Sequence, residues 1–223
     1  MNLMEGDCLE LMKAIPSNSI DCVLTDPPYI LTGGGRGKGA PVGGVFGKHN
    51  EGMKSGKVFK HNIVRFEEWL GEVYRVMKPT THALIFINNR NILDLYNEAM
   101  KHFKFKNIIT WDKIYKNPSR SYMIQTEFIL MLGKGWCRGI NDMGDSNLVR
   151  FSNRIKNKTH PTQKPVELLE YLVKNSSNAG DTVLDIFMGS GSTGVACKNL
   201  NRNFIGIEQD EKYFKIAEDR ING

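Results

Sequence analysis

Residues 181–208 constrain this chain more than any other stretch. The apolar, β-branched run Asp181-Thr-Val-Leu-Asp-Ile-Phe187 enters the turn Gly189-Ser-Gly-Ser-Thr-Gly194. A helix then runs to about Leu200, and a second strand covers 203–207 just before an acid, Glu208. Strand, glycine turn, helix, strand is a βαβ unit, whose two strands are parallel and whose helix covers one face. The unit predicts an α/β fold in three layers around a mostly parallel sheet.

The remaining pattern agrees with that class. Asp7 caps a short helix over 7–14, and a strand over 19–25 stops at Asp26-Pro27-Pro28-Tyr29, because two successive prolines cannot continue a ladder. Phe66, Trp69, Leu70, Val73, Tyr74 and Met77 repeat at helical spacing until Lys78-Pro79. A strand over 82–87, a helix over 92–103 and strands over 105–111 and 127–132 follow. Pro165 opens a helix through Val166, Leu169, Leu172 and Val173, and a last helix starts near Asp210. At 223 residues the chain fits one α/β domain with insertions.

Several classes are excluded at this level. The cysteines at 8, 22, 137 and 197 form no CxxC pair, which argues against a zinc site or a disulfide framework and for a reducing cytoplasm. The apolar runs at 83–87 and 128–132 are far short of the roughly 20 residues a membrane span needs. The start of the chain does not read as a signal peptide.

The chain carries 30 basic and 24 acidic residues, a net of +6, and two aperiodic segments hold all of the excess. Residues 31–62 carry a net of +5 together with ten glycines, and residues 134–158 carry +4. The rest of the chain is therefore −3. Arg36, Lys38, Lys54, Lys57 and Lys60 in the first segment, and Arg150, Arg154 and Lys156 in the second, are the expected contacts to a polyanion such as DNA.

Gly189, Gly191 and Gly194 match GxGxxG, with Glu208 placed 19 residues beyond Gly189 to accept ribose hydroxyls. A dinucleotide is the obvious ligand. Asp185, four residues before Gly189, would however face a pyrophosphate as a like charge and suits an ammonium or sulfonium instead. S-adenosylmethionine has both cations and no phosphate. A glycine turn that serves only the backbone is the remaining alternative.

Asp26-Pro27-Pro28-Tyr29 stands at the carboxyl end of a strand, where parallel sheets collect ligand groups. An exocyclic amino group on a base is a poor nucleophile because its lone pair is delocalised into the ring. Acceptors on both its N–H groups, the Asp26 carboxylate and the Pro27 carbonyl, localise that pair, and Tyr29 offers a ring face for a flipped base. His160-Pro-Thr-Gln-Lys-Pro165 reads first as a helix entry, with Lys164 placed to meet a cofactor carboxylate.

In this order, Asp26-Pro-Pro-Tyr29, His160-Pro-Thr-Gln-Lys-Pro165 and Asp185-Ile-Phe-Met-Gly-Ser-Gly191 resemble the beta group of DNA amino-methyltransferases. The resemblance covers 7–221 apart from the two aperiodic segments. It implies one Rossmann-like, S-adenosylmethionine-dependent methyltransferase domain over 1–223. The catalytic half comes first, and a short target-recognition segment over 133–158 follows. Asp26, Pro27, Pro28 and Tyr29 would form the target-base pocket. Phe187, Gly189 and Gly191 would line the cofactor, with Asp185 near its methionine moiety, Glu208 on its ribose and Lys164 near its carboxylate. Asp7 would contact the cofactor adenine, a role that rests on the resemblance alone.

Aspartate rather than serine before Pro-Pro-Tyr resembles the adenine-N6 members more than the cytosine-N4 members. The expected activity is methyl transfer to adenine N6 in double-stranded DNA by base flipping, with no metal. Cytosine-N4 or RNA methylation, dinucleotide oxidoreduction and DNA binding without catalysis are the alternatives. The resemblance also allows a homodimer, a cognate restriction enzyme as partner, and a home in the cytoplasm of a prokaryote or in a phage-infected cell.

Overall fold

The strands sort their side chains into two cores, one on each face of a single sheet. The computed structural model describes residues 1–28, 64–119, 122–156 and 163–223. Within them lie strands β1 (Asn2–Glu5), β2 (Ile20–Thr25), β3 (Met77–Ile87), β4 (Lys104–Asn117), β5 (Ile124–Gly133), β6 (Leu148–Arg150), β7 (Thr182–Asp185) and β8 (Asn203–Glu208). The helices are α1 (Cys8–Leu11), α2 (Phe66–Val76), α3 (Ile92–Ala99), α4 (Val166–Ser176), α5 (Ser192–Asn199) and α6 (Glu211–Asn222). Val23, Ala83, Ile85 and Ile87 pack with Trp69, Leu70 and Leu95 from α2 and α3. Their alternates Cys22, Leu24, Leu84 and Phe86 pack with Leu169, Ala196 and Ile221 from α4, α5 and α6. Period-two alternation thus builds the three layers.

The sheet order is β1-β8-β7-β2-β3-β5-β4-β6. Neighbours are parallel except where β5 pairs with β3 and β4, so among the described strands β5 alone runs against the rest. From β2 the chain moves to β3 on one side, whereas from β7 it moves through α5 to β8 on the other. Because β2 and β7 are direct neighbours, the switch in strand order falls between them, where open α/β sheets place their ligands.

Some elements differ from expectation. β1 and β6 carry too few residues for a periodic signal, and each lies at an edge of the sheet. The helix expected over 7–14 is α1 followed by a 3₁₀ turn over Met12–Ala14, and Asp7 caps it by accepting from Leu9 N at 2.8 Å. α3 stops at Ala99 rather than 103. β3 begins at Met77, directly after α2, and carries Pro79 inside it. The missing N–H is tolerated because the pairing with β2 skips from Met77 to His82, and Thr80 sits at φ 69° within that irregularity. Segment 31–62 lies outside the described residues.

Candidate active site

Four parallel strands end side by side at one edge of the sheet, and each brings an acid to it. β2 leads into Asp26, β7 ends in Asp185, β8 ends in Glu208, and β1 is followed by Asp7. The strands that carry these acids are consecutive in the sheet, although the sequence scatters them from one end of the chain to the other.

Asp185 is 4% exposed, and both its oxygens are engaged. Oδ1 accepts from Thr25 Oγ1 at 2.8 Å and Phe187 N at 3.1 Å, while Oδ2 accepts from Thr193 Oγ1 at 2.7 Å. Burial pushes its pKa up to about 6 against these bonds, which favour the charged form. The carboxylate is therefore a buried tie between β2, β7 and α5 at the carboxyl edge of the sheet.

Glu208 is half-buried, with Oε2 accepting from Gly189 N at 2.9 Å and Oε1 from Asp210 N at 2.8 Å. Burial raises its pKa in spite of these amides. The Glu208 carbonyl accepts from Gly6 N at 2.9 Å, which places the exposed Asp7 beside it. Phe187 is half-buried and meets Trp69 edge to face, with ring centroids 5.7 Å apart.

The glycine turn has a second purpose besides ligand approach. Gly189 and Gly191 take φ of 52° and 76°, a left-handed conformation that costs other residues energy. A Cβ on Gly191 would stand 2.9 Å from Ala217 Cβ, and one on Gly194 would stand 2.3 Å from Ile221 Cδ1. These two glycines let α6 pack directly on α5.

Asp26 meets Lys164, and with it a residue that the sequence pattern does not flag. Lys164 Nζ donates to Asp26 Oδ2 at 2.5 Å, lies 3.6 Å from Glu127 Oε1 and sits 5.0 Å above the Phe86 ring. Burial works against the ammonium, but the two carboxylates outweigh it and raise the Lys164 pKa. Lys164, the residue the resemblance places near the cofactor carboxylate, is thus tied to Asp26 by a salt bridge. Glu127 opens the apolar half of β5, and an acid in that place was the available signal. Pro27 and Pro28 follow Asp26 without regular secondary structure, and Tyr29 lies outside the described residues.

Of the cationic side chains, Arg150 Nε bonds Asp112 Oδ2 at 2.9 Å, yet its side chain is 72% exposed. The Arg154 guanidinium lies 3.5 Å above the Tyr115 ring. With Lys156, both line a cleft of about 740 Å³ that also meets Gln163, Glu167 and Arg220. Arg36, Lys38, Lys54, Lys57 and Lys60 lie outside the described residues. Lys134 and Arg138, which add to the charge of 134–158, are spent on backbone carbonyls within the fold.

Among the described residues, an acidic edge flanked by the Lys164 ammonium suits a cationic, hydroxyl-bearing ligand and disfavours a pyrophosphate, so these residues fit S-adenosylmethionine. Fold and site together define a nucleotide-type methyltransferase. The family model described as DNA methylase, N6_N4_Mtase, matches residues 20–138 and 136–219. The Type II methyltransferase M.HpaI of Haemophilus parainfluenzae is 32% identical over 246 residues, covering 99% of this chain and 74% of that protein. The crystal structure of the M1.HpyAVI–SAM complex superposes with a TM-score of 0.73 at 29% identity, covering 98% of each chain. PvuII DNA methyltransferase, described as cytosine-N4-specific, shares the fold with a TM-score of 0.74 at 18% identity, covering 98% of this chain and 85% of that one. The chain belongs to the N6/N4 DNA methylase family and is an S-adenosylmethionine-dependent DNA methyltransferase.

Proposed function

We propose that this enzyme methylates adenine at N6, at a specific sequence in double-stranded DNA, with the target base flipped out of the helix. The observation that carries this reading is an aspartate, Asp26, before Pro27-Pro28-Tyr29 at the carboxyl end of β2, beside the switch point. The fold alone does not choose the base, since PvuII methyltransferase shares it.

When bound, S-adenosylmethionine supplies a methyl group made electrophilic by the sulfonium. Asp7 and Glu208 would hold its adenosine, and Phe187, Gly189 and Gly191 would line it. Asp185 would act as a fixed negative charge beneath the methionine end rather than through a direct bond. At the base, Asp26 and the Pro27 carbonyl accept from the amino group and Tyr29 stacks on the ring. With its lone pair localised by these two acceptors, the exocyclic nitrogen would take the methyl group that the bound cofactor supplies. The nitrogen then releases one N–H proton to water. Most of the rate arises from positioning and from acceptors that stabilise the charge growing on nitrogen.

Arg150, Arg154 and Lys156, with Arg36, Lys38, Lys54, Lys57 and Lys60, would contact the phosphates. A homodimer is tested by light scattering on the eluted protein. A cognate restriction enzyme is tested by whether DNA carrying the product resists a nuclease encoded beside this chain. The deciding experiment for the base is mass spectrometry of nucleosides from DNA incubated with the protein and methyl-labelled S-adenosylmethionine. N6-methyladenine is the expected product. N4-methylcytosine, or label only in competing RNA, would overturn the reading.

A further inference from the structure

We propose that Glu127 is a positioning residue of the transfer reaction, giving Lys164 a second carboxylate to hold when the target amino group takes its place on Asp26. The proposal rests on the assignment of Asp26 to the target base.

Three elements converge here. Asp26 follows β2, Glu127 stands near the start of the antiparallel β5, and Lys164 precedes α4. Lys164 is 11% exposed, Asp26 22% and Glu127 18%, so none of the three charges is fully hydrated. One ammonium would suffice to fix one carboxylate, yet two converge on it. A second half-buried acid costs desolvation and needs a reason.

Geometry supplies that reason. Lys164 bonds Asp26 at 2.5 Å, while Glu127 at 3.6 Å is inside ion-pair range and just outside hydrogen-bond range. An amino group seeking the Asp26 carboxylate competes with Lys164 for it. If no other carboxylate stood near, displacing Lys164 would strand a buried ammonium, and the pocket would resist its own substrate. With Glu127 a fraction of an ångström beyond bonding distance, a small movement of a flexible side chain restores the lost bond. The trio keeps a net charge of −1 throughout, which favours positive charge on the attacking nitrogen.

The test compares the full-length wild type with Glu127→Gln, Glu127→Asp, Lys164→Met and the Glu127→Gln/Lys164→Met double variant. Steady-state methylation of duplex DNA, calorimetric affinity for S-adenosylmethionine and Tm are measured for each. Glu127→Gln is expected to lower kcat by roughly tenfold or more, with cofactor Kd within about twofold of wild type. Glu127→Asp should recover part of that loss. The double variant should be no slower than Lys164→Met, because Glu127 acts through Lys164. Wild-type kcat in Glu127→Gln, parallel losses in cofactor affinity and Tm, or losses that multiply in the double variant would overturn the proposal. Should Glu127→Gln fold poorly, a Glu127→Asp variant that folds yet stays as slow as Lys164→Met or slower also counts against it. No label from the wild type would overturn the base-pocket reading and this proposal with it.

Discussion

Thr25 and Asp185, 160 residues apart in the chain, are joined by a 2.8 Å hydrogen bond at the switch point of the sheet. Both are buried, and the next residue after Thr25 is Asp26. The bond ties the strand that carries the proposed base pocket to the strand that enters the glycine turn. Replacing Thr25 by Val keeps the shape and removes the donor, leaving a buried carboxylate oxygen with one fewer partner. The expected loss is about 1–3 kcal/mol of unfolding free energy in urea, with Thr25→Ser close to wild type.

Two buried groups titrate in opposition between pH 4 and pH 6. Burial raises Asp185 to about 6, so the folded state binds its proton more tightly than the unfolded chain does. Stability from this group therefore falls as pH rises through that window. Burial, with Arg138 nearby, lowers His82 to about 4, so stability from His82 falls as pH drops from about 6.5 toward 4. Each effect is on the order of 3 kcal/mol, and in the wild type they largely cancel. Unfolding free energies at pH 4, 5, 6 and 7 separate them. Relative to wild type, Asp185→Asn should gain stability as pH rises from 4 to 6, and His82→Gln should gain as pH falls. Flat differences for both would refute these assignments.

Asp26→Ala separates chemistry from cofactor binding. The side chain removed belongs to the proposed base pocket, whereas Asp7 follows β1, Glu208 ends β8 and the glycine turn follows β7. Methyl transfer should fall by roughly a hundredfold or more while calorimetric affinity for S-adenosylmethionine stays close to wild type. Retained transfer would remove Asp26 from the mechanism.

What could be read from residues alone follows the length of each signal. The βαβ unit over 181–208 carries period, glycine turn and terminal acid together, and its strands, helix and turn lie where the pattern puts them, except that the first strand stops at Asp185 rather than Phe187. β1, with four residues, and β6, with three, offer no period and exist because neighbouring strands present edges to them. The acids were visible one by one, but their function as a row depends on a sheet order that no local pattern encodes. Lys164 shows the same limit. Its position before a helix suggests an anion, and only tertiary packing reveals that the Asp26 and Glu127 carboxylates stand beside it. At Gly194 the motif pointed to ligand approach, while the structure adds packing against Ile221.

DNA binding should divide the lysines and arginines of 134–158 into two kinds. Lys134 donates to the carbonyls of Tyr74 and Met77 at 2.7 Å and to Asn18 Oδ1 at 2.8 Å, so it stitches α2 and β3 to the strand beside them. Lys134→Met should lower Tm and leave the salt dependence of DNA binding unchanged. Arg150, Arg154 and Lys156 instead face the cleft beside the α4 entry, with Arg150 oriented by Asp112 and Arg154 by Tyr115. Each phosphate contact contributes about 0.9 to the slope of log K against log salt concentration. Neutralising all three should flatten that slope by roughly 2 to 3 and weaken binding to specific and random duplexes alike. The corresponding change at Lys54, Lys57 and Lys60 should act in the same direction. A slope that stays at the wild-type value in both triple variants, measured by fluorescence anisotropy across a salt series, would place the phosphate-contacting surface elsewhere.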